Sequence, residues 1–171
     1  MHTGPQAQHF AAPWGRALKL VSAGVTVGLL AATVVGWMFL PASAGWARAV
    51  LIALPLALVL GAPLFVVRGY TLDRGQLVIL RPGWCVRLPL RGLREAVPDG
   101  GALCGSLRLC GNGGLFSITG WYWNRRLGRY RAFVNDVNRV VVLRWPDRVV
   151  VVSPDDPERF ARAVLAQAAQ V

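Results

Sequence analysis

The chain has 171 residues, the length of about one domain, with 54% hydrophobic and 16% charged residues, a net charge of +11 and a mean hydropathy of +0.44. This composition excludes a disordered chain and is more apolar than an ordinary soluble domain. Three cysteines, Cys85, Cys104 and Cys110, exclude a disulfide framework and stand at no metal-ligand spacing.

Residues 1–19 read as a flexible cytoplasmic N-terminus that holds both histidines, His2 and His9. Residues 20–67 contain one charge, Arg48. Residues 20–40 are uncharged and would span roughly 30 Å as a helix, the thickness of a bilayer core. Residues 49–67 form a second uncharged run, and the short segment between them suits a tight turn. The expectation is a two-helix transmembrane hairpin, with Trp14, Trp37 and Trp46 near the interfaces. Ala42-Ser43-Ala44 has the form of a signal-peptide cleavage site. The apolar run before it exceeds the roughly 7–15 residues of a signal core, and a second span follows, so the segment reads as an anchor.

Positive charge orients the hairpin. Arg16 and Lys19 precede it, Arg48 alone sits in its turn, and Arg68, Arg74, Arg81, Arg87, Arg91 and Arg94 follow it. Both termini are therefore expected in the cytoplasm of a two-span membrane protein. Unpaired cysteines suit that compartment. Gly24, Gly28, Ala32 and Gly36 recur four apart in the first span, and Ala49, Ala53, Ala57 and Gly61 in the second. Such small-residue ridges allow close backbone approach, so they are expected to face one another, with contact between two copies as the alternative. Pro55 and Pro63 are expected to kink the second span.

From residue 68 to 171 the pattern changes to short strands between turns. Strands are expected at 70–72, 76–80, 85–90, 106–110, 115–119, 129–134, 139–145 and 149–152. Residues 97–101 and 120–128 read as loops, and Pro89 marks an edge. Asp156 then reads as a helix N-cap, with Pro157 at the first position and Glu158 in the first turn. Phe160, Ala161, Val164, Leu165 and Ala168 form its apolar stripe. About seven strands and one terminal helix suggest a mainly-β antiparallel barrel closed by a helix.

Several stretches carry a family resemblance. They are Gly111-Asn112-Gly113-Gly114, Gly120-Trp121, Leu127-Gly128-Arg129-Tyr130, and Ser153-Pro154-Asp155-Asp156-Pro157 followed by Phe160. Together they resemble the bacterial PH-like (pleckstrin-homology-like) family of small membrane proteins, over about residues 68–166. The resemblance implies a PH-like barrel behind two transmembrane helices. It implies no catalytic residue and no cofactor.

Enzyme motifs fail individually. The histidines lie outside the folded segment, so a Ser-His-Asp arrangement has no base. The glycines at 111–114 lack the lysine of a P-loop and read as a hairpin turn. Asp155 and Asp156 are explained by capping, and Cys104 and Cys110 read as small core residues. What remains is charge. From Arg68 onward sixteen arginines meet eight acids. A basic domain beneath a membrane faces an anionic leaflet. The sharpest binding candidates are Trp121, Tyr122, Trp123, Arg125, Arg126, Arg129 and Arg131, where aromatic rings could enter an interface and guanidinium groups pair with phosphates. The expected partners are the lipid bilayer or a membrane or cytoplasmic protein. Membrane topology alone accounts for the arginines, so nucleic acid is not among them. An adaptor that binds a peptide at an exposed strand edge is the competing reading.

Overall fold

The computed structural model describes residues 7–41, 43 and 45–170. His2, Ala42 and Ala44 fall outside the described residues. The described part of the N-terminal segment, from residue 7, is not a free tail. Gln8–Ala11 forms a strand, β1, which pairs antiparallel with β2, Gly69–Asp73, from Ala11 opposite Gly69 to Gln8 opposite Leu72. Phe10 explains the order: it is buried and meets the Phe160 ring edge-on at 5.0 Å. Burying such a side chain is worth about 1.5–3 kcal/mol. His9 is correspondingly held, 3.2 Å from the Thr71 hydroxyl.

Between these two paired strands the chain leaves and returns as two helices. They are α1, Arg16–Phe39, and α2, Trp46–Gly61, which tightens into a 3-10 turn at Ala62–Phe65. Both are long and apolar enough to cross a membrane. Pro63 sits at the tightening, where its missing N–H costs the helix least. Pro55 is buried inside α2.

The ridges do not meet as expected. Gly36 is buried, and a Cβ there would lie 2.8 Å from Leu51 Cδ2. Gly24, Gly28 and Gly61, by contrast, have nothing within 4 Å of where a Cβ would stand. Ala32 is half-buried, whereas Ala49, Ala53 and Ala57 are exposed. The covered stripe of α1 runs instead through Ser22, Thr26, Leu29, Thr33 and Gly36. A ridge of residues strictly four apart drifts around a helix of 3.6 residues per turn, so only its end stays on the contact face.

The β domain contains two sheets. The first has the order β1-β2-β3-β4, with β3 Gln76–Arg81 and β4 Trp84–Pro89. The second has the order β5-β9-β10-β8-β7-β6. Its strands are β5 Glu95–Pro98, β6 Leu107–Gly113, β7 Ile118–Asn124, β8 Gly128–Val134, β9 Val141–Arg144 and β10 Val149–Val152. Pairing does not close the two sheets into the expected barrel, and among the described residues from 68 onward nine strands form rather than about seven, with β1 added from the N-terminal side. Nor is the architecture wholly antiparallel, because β10 runs parallel to β8. Residues 97–98 belong to β5 and residues 120–124 to β7, so each expected loop is shorter than expected, and of the two ranges only 99–101 and 125–127 lie outside strands. Pro89 does lie on an edge strand.

The main core lies between the sheets and under α3, Pro157–Ala168. Leu77 and Ile79 from one sheet meet Phe133, Leu143 and Val152 from the other, with Phe160 and Val164 above them. Asp156 caps α3 by accepting from the Arg159 amide at 2.9 Å. A second cluster, including Tyr122, Tyr130 and Val151, covers the opposite face of the larger sheet.

Polar contacts, several of them buried, bind the helical hairpin to this domain. The Asn135 Nδ2 group donates to Ala12 O at 3.0 Å and Val67 O at 2.6 Å, joining the roots of both helices. Its backbone carbonyl accepts from the Gly15 amide. Ser22, one turn into the apolar part of α1, donates to Gly114 O and accepts from the Phe116 amide. The Trp84 indole donates to Leu64 O at the end of α2.

Candidate functional site

Strand alternation divides the aromatic segment between two environments. In β7, Tyr122 and Asn124 point into the second core while Trp121 and Trp123 stand on the opposite face, partly exposed. Tyr122 stacks on Tyr130 and donates to Asn112 O at 2.7 Å. Burial pushes its hydroxyl pKa up to about 12. Tyr122 is therefore a core residue and not a binding group. The register places Trp121 opposite Arg131 and Trp123 opposite Arg129, so these four share a face. The Arg129 guanidinium lies over the Trp121 ring at 4.5 Å. Arg125 and Arg126 occupy the β7–β8 turn, exposed, and Arg126 is paired with Asp99 at 2.6 Å. Trp123 and Arg125 line a shallow hollow with Leu107 and Cys104. Cys104, in the turn before β6, and Cys110, on the edge strand β6, are exposed rather than core.

The strongest site lies farther along the same face, where β7 and β8 approach α2. A cleft of about 610 Å³ opens there. Ala57, Leu58 and Gly61 of α2 form one wall, and Thr119, Arg131 and Phe133 of the sheet form another. Arg81 at the end of β3 and Arg108 in β6 complete its charge.

Arg81 is the unusual member. It follows Leu77 and Ile79 at the inward positions of β3 and is only 8% exposed. Its guanidinium packs over Trp84 at 4.7 Å and Phe133 at 5.1 Å. Arg131 packs over the same Phe133 ring at 4.9 Å. Aromatic faces offset part of the cost of burying cations, but they accept no hydrogen bond along the N–H directions. The buried Nε of Arg81 has no hydrogen-bond partner. Among the described residues no carboxylate lies within salt-bridge distance of Arg81, Arg108 or Arg131; the ion pairs are made by Arg126, Arg139 and Arg144. Burial, with the like charge of Arg131, pushes the Arg81 pKa below its ordinary value. Arginine nonetheless stays protonated near neutrality.

The floor of the cleft is glycine. Gly111 and Gly120 pair across β6 and β7, both at positive φ. A Cβ on Gly120 would collide with the Cys110 carbonyl, and one on Gly111 with the Thr119 carbonyl. Bare backbone is therefore required here, and it leaves a flat surface beside the arginines. The adjoining turn at 114–117 is organised by Asn112, whose Oδ1 accepts from the Gly114 and Leu115 amides. A hairpin does form here, but its turn is displaced: Gly111, Asn112 and Gly113 are paired residues of β6, only Gly114 of the four lies in the turn, and the return strand starts at Ile118 rather than Leu115.

Of the sequence-derived binding candidates only Arg131 enters the cleft, with Ala57 and Gly61 of the small-residue ridge on its other wall; Arg81, Arg108 and Trp84 are additions from the structure. The signal for Arg81 is present in the sequence, a charge at the inward phase of an alternating strand. Among the described residues no three His, Cys, Asp or Glu side chains gather as a metal site.

A family model described as Bacterial PH domain matches residues 68–168. The chain belongs to that family. The match begins one residue before β2 and ends at the last residue of α3, so it covers the β domain without β1 or the helical hairpin. PH domains are typically non-catalytic binding modules. No curated protein and no solved structure matches the chain.

Proposed function

We propose that this protein is a non-catalytic, membrane-anchored binding module whose PH-like domain contacts anionic lipid headgroups on the cytoplasmic face. The observation that carries this reading is the insertion of the two apolar helices between paired strands. With β1 hydrogen-bonded to β2, α1 must begin where α2 ends, so both sides of the hairpin open toward the domain. The contacts of Ser22 with Gly114 and Phe116 then hold the β6–β7 turn at the depth of the second turn of α1. In this reading Trp121, Trp123, Arg125 and Arg129 are the groups that reach headgroups. Each basic residue near an anionic surface contributes about 1 kcal/mol.

Topology is tested with Ser43→Cys and Gln170→Cys in a background without the native cysteines. A membrane-impermeant thiol reagent applied to intact cells should label the first and not the second; the reverse pattern refutes the orientation. Headgroup contact is tested on the full chain in nanodiscs, with a polarity-sensitive dye on Trp123→Cys. A blue shift should appear with phosphatidylglycerol, not with phosphatidylcholine. It should fade in 1 M salt, where the Debye length falls from about 10 Å at 0.1 M to about 3 Å.

An adaptor role has one observation in its favour. The edge strand β6 leaves Leu107 and Leu109 62% and 55% exposed, so a peptide strand could add there. If the dye is indifferent to lipid charge, and charged substitutions at these leucines release a co-purifying protein, the adaptor reading takes precedence.

A further inference from the structure

We propose that the cleft between α2 and the β6-β7-β8 sheet binds one whole anionic phospholipid, its phosphate held between Arg81 and Arg131 and its acyl chains lying along α2. The proposal rests on the membrane-anchored reading above and assigns it a specific, stoichiometric site.

Four observations converge. First, Arg81 is more than nine-tenths buried, its Nε lacks a partner, and it lines the cleft. A buried cation without a carboxylate or hydrogen-bonding partner is costly, and an anion in the cleft that its guanidinium lines would offset that cost. Second, Arg81 and Arg131 flank a single phenylalanine ring with no carboxylate between them, so two like charges converge on one point. Guanidinium groups suit phosphate because they can donate two parallel hydrogen bonds, and Arg108 also lines the cleft. Third, the Gly111–Gly120 pair strips the floor to backbone, so a headgroup can settle against the sheet. Fourth, one wall belongs to a helix long and apolar enough to cross a membrane. A soluble phosphate has no use for Ala57, Leu58 and Gly61; a lipid has chains to lay against them. The volume falls within the roughly 300–1,000 Å³ typical of ligand pockets.

The shared chemistry with a free phosphate is separated by experiment. The full-length protein, purified in detergent, is titrated by native mass spectrometry with phosphatidylglycerol, with phosphatidylcholine of the same chains, and with glycerol 3-phosphate. The first phosphatidylglycerol should bind at least about tenfold tighter than phosphatidylcholine, and glycerol 3-phosphate should compete only weakly. Loss of one charged hydrogen-bonding partner corresponds to about tenfold or more in affinity. Arg131→Gln should therefore weaken the first binding event about tenfold, and Arg162→Gln, an equal charge change on α3, should leave it unaltered. Ala57→Leu narrows the chain side without changing charge and should weaken both lipids. Arg81→Gln alters a buried residue, so its affinity is interpreted beside its melting curve, while the two exposed or half-buried variants decide the matter.

Equal affinity for the two lipids, or an unchanged first event in folded Arg131→Gln, overturns the site. Glycerol 3-phosphate binding as tightly as the lipid overturns the lipid source in favour of a free phosphate. Failure of the anchored reading looks different: the protein would leave the membrane fraction in alkaline carbonate before any lipid is added.

Discussion

Asn135→Ala tests how the hairpin is joined to the domain. The Asn135 side chain is 1% exposed, and its amide makes the two bonds to Ala12 O and Val67 O that secure the roots of α1 and α2. Truncation leaves both carbonyls without that donor in a buried setting, at about 1–3 kcal/mol each. The Asn135 amide to Ser153 Oγ and its carbonyl from Gly15 survive, because they are backbone groups. The expected loss is thus roughly 2–6 kcal/mol, a large share of the about 5–15 kcal/mol that typically stabilises a domain. In a chain of this size each kcal/mol moves Tm by about 2–4 °C, so a fall of roughly 10 °C is expected in detergent. Hydrogen exchange should locate the loss in β1 and β2, with β9 and β10 spared at low temperature. Asn138→Ala, at an exposed neighbouring position, is the control. A fall of under about 1 °C with unchanged exchange in β1 would refute the assignment of Asn135 as the clasp.

Phe10→Ala should destabilise the domain by about 3–5 kcal/mol, the usual cost of emptying a buried phenylalanine site, and chemical denaturation of the full chain measures it. Gly36→Leu should lower the melting temperature in detergent, because its Cβ would meet Leu51, at about 1–3 kcal/mol for overpacking. Gly28→Leu should not, because that position is open within the chain. Tyrosine ionisation, followed by absorbance near 295 nm, should at pH 10 stay well below the half-ionised state of free tyrosine. Tyr70 and Tyr122 are held at about 12 by burial, and Tyr130 is raised for the same cause. A raised folded pKa means stability that is complete below the unfolded value near 10 and is lost as pH climbs toward 12, so unfolding should accompany ionisation in that window. Substantial tyrosinate in the folded protein at pH 10 would contradict the packing.

The parts of the fold legible in the sequence are those fixed by local chemistry. Asp156, Pro157 and Glu158 announce α3 because a cap is satisfied within one turn. The helical runs are legible by composition and length. Strand β1 is not, since four residues, Gln-His-Phe-Ala, carry no period and their partner lies some sixty positions away. The parallel β8–β10 pair is likewise a non-local choice. Three consecutive aromatics hid the alternation of β7: Trp121, Tyr122 and Trp123 look alike in composition although only Tyr122 turns inward. The ridges misled because a four-residue repeat of small side chains identifies a surface that can pack, not the surface that does. Arg81 is legible in principle, but by composition alone it merges with the flanking positive charge that orients the hairpin. Its inward phase beside Leu77 and Ile79 separates it from Arg74 and Arg87, both exposed.

The segment that defines the family is not the whole of the unit that builds the site. Residues 68–168 supply Arg81, Arg108, Arg131 and the glycine floor, but the other wall of the cleft is α2. They also lack β1, so the core alone would expose Phe160 where Phe10 packs. Joining strands β1 and β2 across the intervening residues would carry a long-loop entropy cost in a flexible chain. Two antiparallel helices remove most of that cost by returning the chain to its starting point before the strands pair. The order of dependence is therefore hairpin first, then the β1–β2 ladder, then a cleft with both walls. A domain truncated at residue 68 should lose the cleft even where most of its strands survive. Contacts made by Trp123 or Arg125, which lie in and beside the β7–β8 turn, do not depend on that assembly in the same way. The two regions of the basic face thus separate by what holds them. One is a surface of the β domain, and the other is a product of the hairpin and domain together.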